Sequence, residues 1–313
     1  MGWGIDTILQ IINMVETIFG LIPSVFIVTS NIQCWMKGEK LNSTDHIVTA
    51  LGFSGIIYSV VVIAKIILLI FFPEMFLMTA IFITLYFITF YSFYTGYWLT
   101  TCLSFFFFMK INNFKPGFFS WIKMKIDSLV PHLILAIGGL SICLSVVGTI
   151  LYTRVKAVNS TSSSMTSQSS YSLSPDNSTF IVYMFMNSSI PILVAIFTTG
   201  HIIVSLYKHT HRMRRNMGDG DGPSLKVHKR AACTLSSLFI LYITDYSLTM
   251  AGVLSNDDTL YWIYGTFSYS FVFLQSVILI LGNSRLLQKC MKILNKCRQR
   301  KFLNEGRVQT VSS

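Results

Sequence analysis

The stretch H-I-V-T-A-L-G-F-S-G-I-I-Y-S-V-V-V-I-A-K-I-I-L-L-I, His46 to Ile70, runs for 25 residues with one fixed charge, Lys65. A hydrocarbon core of roughly 30 Å is crossed by about 20 residues of helix. Inside lipid a single chain segment satisfies its own backbone donors and acceptors only as a helix, so the run reads as a transmembrane helix. Six further apolar blocks flank it, from about Thr7 to Asn31, Thr79 to Met109, Leu129 to Tyr152, Phe180 to Tyr207, Ala231 to Leu254 and Leu260 to Leu281. None shows the short two-residue alternation of barrel strands. The chain is therefore expected to be an all-α membrane protein, a bundle of seven transmembrane helices, with 52% hydrophobic and only 12% charged residues overall.

The net charge of +11 does not point to nucleic acid, because the basic residues follow the blocks. Twenty-one of the 24 lie on one side: Lys37 and Lys40; Lys110, Lys115, Lys123 and Lys125; seven between Lys208 and Arg230; and eight from Arg285 to Arg307. Arg154 and Lys156 fall on the other side and Lys65 within a block. The positive-inside rule then puts the amino terminus outside and the carboxy terminus inside. No cleavable signal is apparent at Met1 to Asp6, so the first span is read as its own insertion signal. The six cysteines all fall in spans or on the inner side, where thiols stay reduced, and their spacing fits no zinc site.

The outer connections are short, except Thr153 to Thr179. This serine- and threonine-rich segment is expected to be a solvated loop with little fixed structure. It carries the sequons Asn159-Ser160-Thr161 and Asn177-Ser178-Thr179, candidate glycosylation sites at Asn159 and Asn177. Residues 1–284 form the seven-span domain and 285–313 a cytoplasmic tail. Leu286, Leu287, Cys290, Met291 and Leu294 share one face of that tail amid lysines, the pattern of a short interfacial amphipathic helix in contact with membrane lipid. Cys290 and Cys297 are candidate palmitoylation sites.

Ionisable groups in hydrocarbon are costly, which makes Glu16, Lys65 and Asp245 candidates for function. Asp245 lies nine positions before the end of its block, about 14 Å deep at 1.5 Å per residue, and must face the bundle interior. If Lys65 also points inward, the two form a pocket ion pair with which a charged ligand competes. Around them stand Ser92, Thr95 and Gly96, then Tyr183, Tyr242 and Tyr246, then Tyr261, Tyr264, Gly265 and Ser268, an aromatic and small-polar lining suited to a small amphipathic ligand. The structural alternative for each aromatic is core packing. No catalytic arrangement is present and no cofactor or metal is expected, so the chain does not read as an enzyme.

The run W-L-T-T-C-L-S-F-F-F-F-M-K-I-N-N-F, Trp98 to Phe114, resembles the third-helix signature of the bitter taste receptors (type 2 taste receptors), a family of G-protein-coupled receptors. Further stretches agree in order: Phe26 to Ser54, Ser205 to Met213, Pro223 to Thr234, and Ser276 to Gln288. The resemblance implies a receptor for small bitter or similar chemosensory molecules in the plasma membrane. Agonist would bind in the outer half, with Asp245 at a position the family uses for ligand contact. A heterotrimeric G protein, gustducin-like and of the inhibitory class, would be met inside by Lys110, Asn113, Lys208, His209, His228 and Arg230. A transporter or channel using Lys65 and Asp245 as a path is the alternative from another class, and a vomeronasal type 1 pheromone receptor is a nearer rival. Ser24 and Gly55 stand where the family has an Asn and an Arg, and Val272 and Gln275 where it has a Pro and a His. These departures imply a resting polar network held together differently.

Overall fold

The computed structural model describes the backbone of residues 5–112, 117–163, 175–217, 223–254 and 258–311, with side chains at 8–112, 117, 119–155, 178–205, 207–208, 229–251, 263–296 and 298–299. The described residues form α1 (Ile5–Met36), α2 (Ser43–Phe71), the short α3 (Pro73–Leu77), α4 (Thr79–Ile111), α5 (Phe118–Ser163), α6 (Pro175–Met217), α7 (Pro223–Leu254), α8 (Asp258–Gly282) and α9 (Ser284–Val311). Seven of these, all but α3 and α9, are long and apolar enough to cross a bilayer.

Helix starts follow local chemistry. Asp45, in the first turn of α2, accepts the Asn42 backbone N–H at 3.0 Å, and prolines open α3, α6 and α7, where a missing N–H costs nothing. Asn283 starts α9 by accepting the N–H groups of Arg285 and Leu286 at 3.1 and 3.3 Å.

The bundle is apolar on its outer surface as well as in its core, and places small polar residues between helices. Ile22, Leu135 and Ile240 stand exposed, while Ser24, Ser54, Thr100, Gln275 and Ser276 are buried. Lipid rewards apolar residues outside, and helices associate through small residues that permit close approach. α4 is the central pillar, touching α2, α5, α6 and α7, while α1 packs on α2, α8 and α9. Apolar packing is densest toward the α9 end, where Ile47, Leu51, Leu103, Phe106, Leu235, Leu279 and Leu286 belong to one cluster.

The departures at Ser24 and Gly55 have a structural counterpart. The Ser24 and Ser276 hydroxyls lie 2.8 Å apart, joining α1 to α8. A methyl group added at Gly55 would come within 3.0 Å of Ser24 Oγ and 3.1 Å of Val272 Cγ1. Close packing of α1, α2 and α8 around one serine pair occupies the level of the usual Asn and Arg.

Two expectations need correction. Thr153 to Thr179 is not a loop throughout: α5 continues to Ser163 and α6 begins at Pro175. Its flanking apolar residues explain why, since Val155 and Phe180 bury against Tyr94 and Met184 and draw both helix ends onto α4. The tail helix is also not short, running from Ser284 to Val311.

Candidate functional site

Four helices each turn one face toward Asp245. α4 contributes Ser92, Phe93, Gly96 and Tyr97; α7 contributes Tyr242 and Asp245; α8 contributes Ser268, Phe271, Val272 and Gln275; α2 contributes Ser54, Gly55 and Tyr58. The spacings of three and four residues are those of one helical face. Together they enclose a cavity of about 40 Å³, room for roughly two to four waters at about 10–15 Å³ each.

Asp245 is 3% exposed. The Tyr97 hydroxyl donates to its Oδ2 at 3.0 Å and Ser268 to its Oδ1 at 3.4 Å. Tyr242, one turn toward α9, is a hub: its hydroxyl accepts from Thr100 at 2.9 Å and from Gln275 Nε2 at 3.0 Å, and donates to the Gly96 carbonyl at 3.1 Å. Its ring meets Tyr97 and Phe271 edge-on, with centroids 4.7 and 4.9 Å away. One phenol thus ties α4, α7 and α8 together.

Of the residues singled out in the sequence, Ser92, Gly96, Tyr242, Asp245 and Ser268 line this cavity. Tyr264 lies within electrostatic range of Tyr58 and Tyr97, and Gly265 shares the face of Ser268 and Val272 one turn away, with nothing within 4 Å of an added methyl group. Thr95 is buried beside the cavity without lining it. Tyr183 points elsewhere, its hydroxyl donating to the Leu144 carbonyl between α5 and α6, and Tyr246 pairs with Ser189 at 3.0 Å on the α6 side. The side chain of Tyr261 lies outside those described. Lys65 does not pair with Asp245: its Nζ sits 4.2 Å from the centroid of the Tyr86 ring. The Glu16 carboxylate faces Ser270 on α8.

Tyr58, Tyr97, Phe271 and Gln275 were not singled out as cavity residues. Gln275 carried a readable signal, an amide within an apolar span. The tyrosines carried none, because aromatic residues fill core and cavity alike.

At the opposite face, near α9, a cleft of about 380 Å³ is lined from α2, α4, α7, α8 and α9, among others by Asp45, Phe107, Arg230, Thr234, Asn283 and Arg285. Arg285 Nη2 lies 2.8 Å from Asp45 Oδ2 and donates to Asn31 Oδ1 at 3.1 Å, while Asn283 donates to Asp45 Oδ1 at 2.8 Å. Of the residues expected to meet a G protein, Arg230 borders this cleft. Lys110 is exposed and pairs with Asp127 at 3.3 Å, and Lys208 is exposed. The side chains of His209 and His228, and all of Asn113, lie outside those described, as do the side chains of Asn159 and Asn177.

Known proteins match the chain over nearly its whole length. The family described as taste receptor protein (TAS2R) matches residues 1–298. Taste receptor type 2 member 7 of Rattus norvegicus is 28% identical over 315 residues, covering 97% of this chain and 98% of its own. Taste receptor type 2 member 8 of Gorilla gorilla gorilla is 27% identical, covering 94% and 97%, and member 7 of Mus musculus is 26% identical, covering 97% and 98%. These matches favour neither the transporter nor the vomeronasal reading. A bundle of seven apolar helices, matched to one family from residue 1 to 298, identifies a multi-pass plasma-membrane receptor: the chain belongs to the type 2 taste receptors, G-protein-coupled receptors for small bitter or similar chemosensory molecules.

Proposed function

We propose that agonist acts at the Asp245 cavity and that the Arg230 and Arg285 cleft, on the inner face, receives a heterotrimeric G protein of the inhibitory, gustducin-like class. The observation that carries this reading is Tyr242. Its hydroxyl joins α4, α7 and α8 at the floor of one cavity, and the same three helices border the other. A cavity of about 40 Å³ is far below the roughly 300 Å³ at which ligand pockets begin. An agonist that settles there must separate Tyr97, Tyr242 and Phe271, and this moves α7 relative to α4 and α8. The movement is transmitted to the cleft, where α7 and α8 meet at Thr234 and Gly282.

A ligand shifts such an equilibrium only by its differential affinity, and reversing a 99:1 resting preference takes about 5.5 kcal/mol. The test is nucleotide exchange by purified G proteins on the full chain in lipid nanodiscs, across a panel of bitter compounds. Exchange on an inhibitory-class heterotrimer, lost in Tyr242→Leu reconstituted at the same concentration, is the expected result. Exchange on a stimulatory-class protein alone, or agonist response unchanged in Tyr242→Leu, would overturn it. Asn159 and Asn177 are proposed to carry glycan, and α9 to rest on the inner leaflet with the exposed Lys292 and Lys296 toward anionic lipid headgroups.

A further inference from the structure

Resting on the reading of the Asp245 cavity as the agonist site, we infer that it recognises the positively charged head of an ammonium ligand, a protonated amine or a quaternary ammonium. Asp245 is the only acidic or basic residue among the described residues lining the cavity. It is almost completely buried, and its hydrogen-bond partners are two neutral hydroxyls, Tyr97 and Ser268. Among the described residues no ammonium or guanidinium lies within ion-pair distance of it, and the lysine of the neighbouring span, Lys65, is held over the Tyr86 ring instead. A carboxylate in a low-dielectric site without a cation is held at high cost, and an incoming cation relieves that cost where a neutral or anionic ligand does not.

The walls fit the same chemistry. Five aromatic rings border the cavity, from Tyr58, Phe93, Tyr97, Tyr242 and Phe271. Tyr97 stands at 86° to Tyr242, and Tyr242 at 84° to Phe271, so successive rings meet edge to face around the cavity they line. Ring faces carry negative potential and attract cations within about 6 Å, most strongly where water is excluded, which is the basis of aromatic cages for quaternary ammonium groups. The cavity of about 40 Å³ admits a head group once Tyr97, Tyr242 and Phe271 separate, the same movement that agonist binding requires. The body of the ligand has room one turn outward, where an added methyl at Gly265 meets nothing within 4 Å.

The inference is tested without a G protein. The full chain in nanodiscs is melted with benzyltrimethylammonium and with neopentylbenzene, its uncharged carbon isostere. The cation is expected to raise Tm saturably in the wild type, and Asp245→Asn to weaken its apparent affinity at least about tenfold, as for loss of a buried charge partner. Phe271→Leu, which removes an aromatic face and leaves the carboxylate in place, is expected to weaken the cation severalfold. Neopentylbenzene is expected to act equally on all three proteins. Equal shifts from cation and isostere, no shift from the cation, or an Asn variant that binds the cation as the wild type does, would each overturn the ammonium site and leave Asp245 as a structural acid. The nucleotide-exchange assay separates the two readings: cation binding of this kind with no compound driving exchange sinks the receptor mechanism at this cavity alone. Exchange driven through the cavity by neutral compounds, without cation binding, sinks the ammonium site alone.

Discussion

Asp45 and Asp245 are both 3% exposed, yet their surroundings are opposite. Asp45 has a guanidinium at 2.8 Å, the Asn283 amide and a backbone N–H, while Asp245 has, among the described residues, two hydroxyls. The first is a structural charge, and Arg285→Ala should leave it stranded. Breaking a buried pair costs about 3–5 kcal/mol; because Arg285 keeps 27% of its side-chain surface, the expected loss is about 2–3 kcal/mol, discounted for solvent screening. It is read as a lower Tm in nanodiscs, with partial recovery in the Asp45→Asn, Arg285→Ala double variant. Asp245→Asn, by contrast, keeps hydrogen-bonding capacity and removes an uncompensated charge, so its Tm should stay at or above wild type. Tyr242→Phe strands two donors, from Thr100 and Gln275, and frees the Gly96 carbonyl. At about 1–3 kcal/mol for a buried group left unsatisfied, it should lower Tm clearly, and Gln275→Leu in the same chain should recover part of that loss.

Among the described glycines, the closest approach between elements is at Gly282, where α8 meets α7. A methyl group at Gly282 would collide with the Thr234 side chain, its Cβ included, so side-chain rotation alone gives no relief. Gly282→Ala must push the two helices apart beside the cleft near α9. Such overpacking costs about 1–3 kcal/mol, and because the resting state bears that cost, ligand-independent nucleotide exchange should rise above wild type. Thr234→Ala in the same chain removes two of the three colliding atoms and should bring exchange back down. An unchanged basal rate in Gly282→Ala would show that this contact does not gate the cleft. The α9 helix is fixed to α1 by Lys289, whose Nζ donates to the Ser30 carbonyl and to Cys34 Sγ, each at 2.8 Å. The tail is therefore part of the packed structure on its bundle-facing side.

For the molecule as a whole, the lopsided basic residues imply that an amino-terminal epitope tag stains on intact cells and a carboxy-terminal tag only after permeabilisation. Peptide N-glycosidase F should shift the band in the same preparation, and Asn159→Gln with Asn177→Gln should abolish that shift. The seven crossings, their order and the charge asymmetry are legible in the linear sequence because lipid imposes one requirement locally: about 20 apolar residues whose backbone bonds close within the segment. Asp245 and Gln275 stand out for the same reason, as polar groups within hydrocarbon. The partners are not legible, because they depend on how helices far apart in sequence rotate against one another. Lys65 is turned to Tyr86 and away from Asp245, Tyr183 and Tyr246 are turned to α5 and α6, and Tyr97, one tyrosine among 14 in the sequence, is brought to the carboxylate. The sequence by itself determined a seven-span receptor and its buried acid. Only the tertiary structure decided that this acid is surrounded by aromatic rings and neutral hydroxyls, because helix rotation is set by close packing of small residues such as Gly55 and Gly282, whose effect is felt only when another helix meets them.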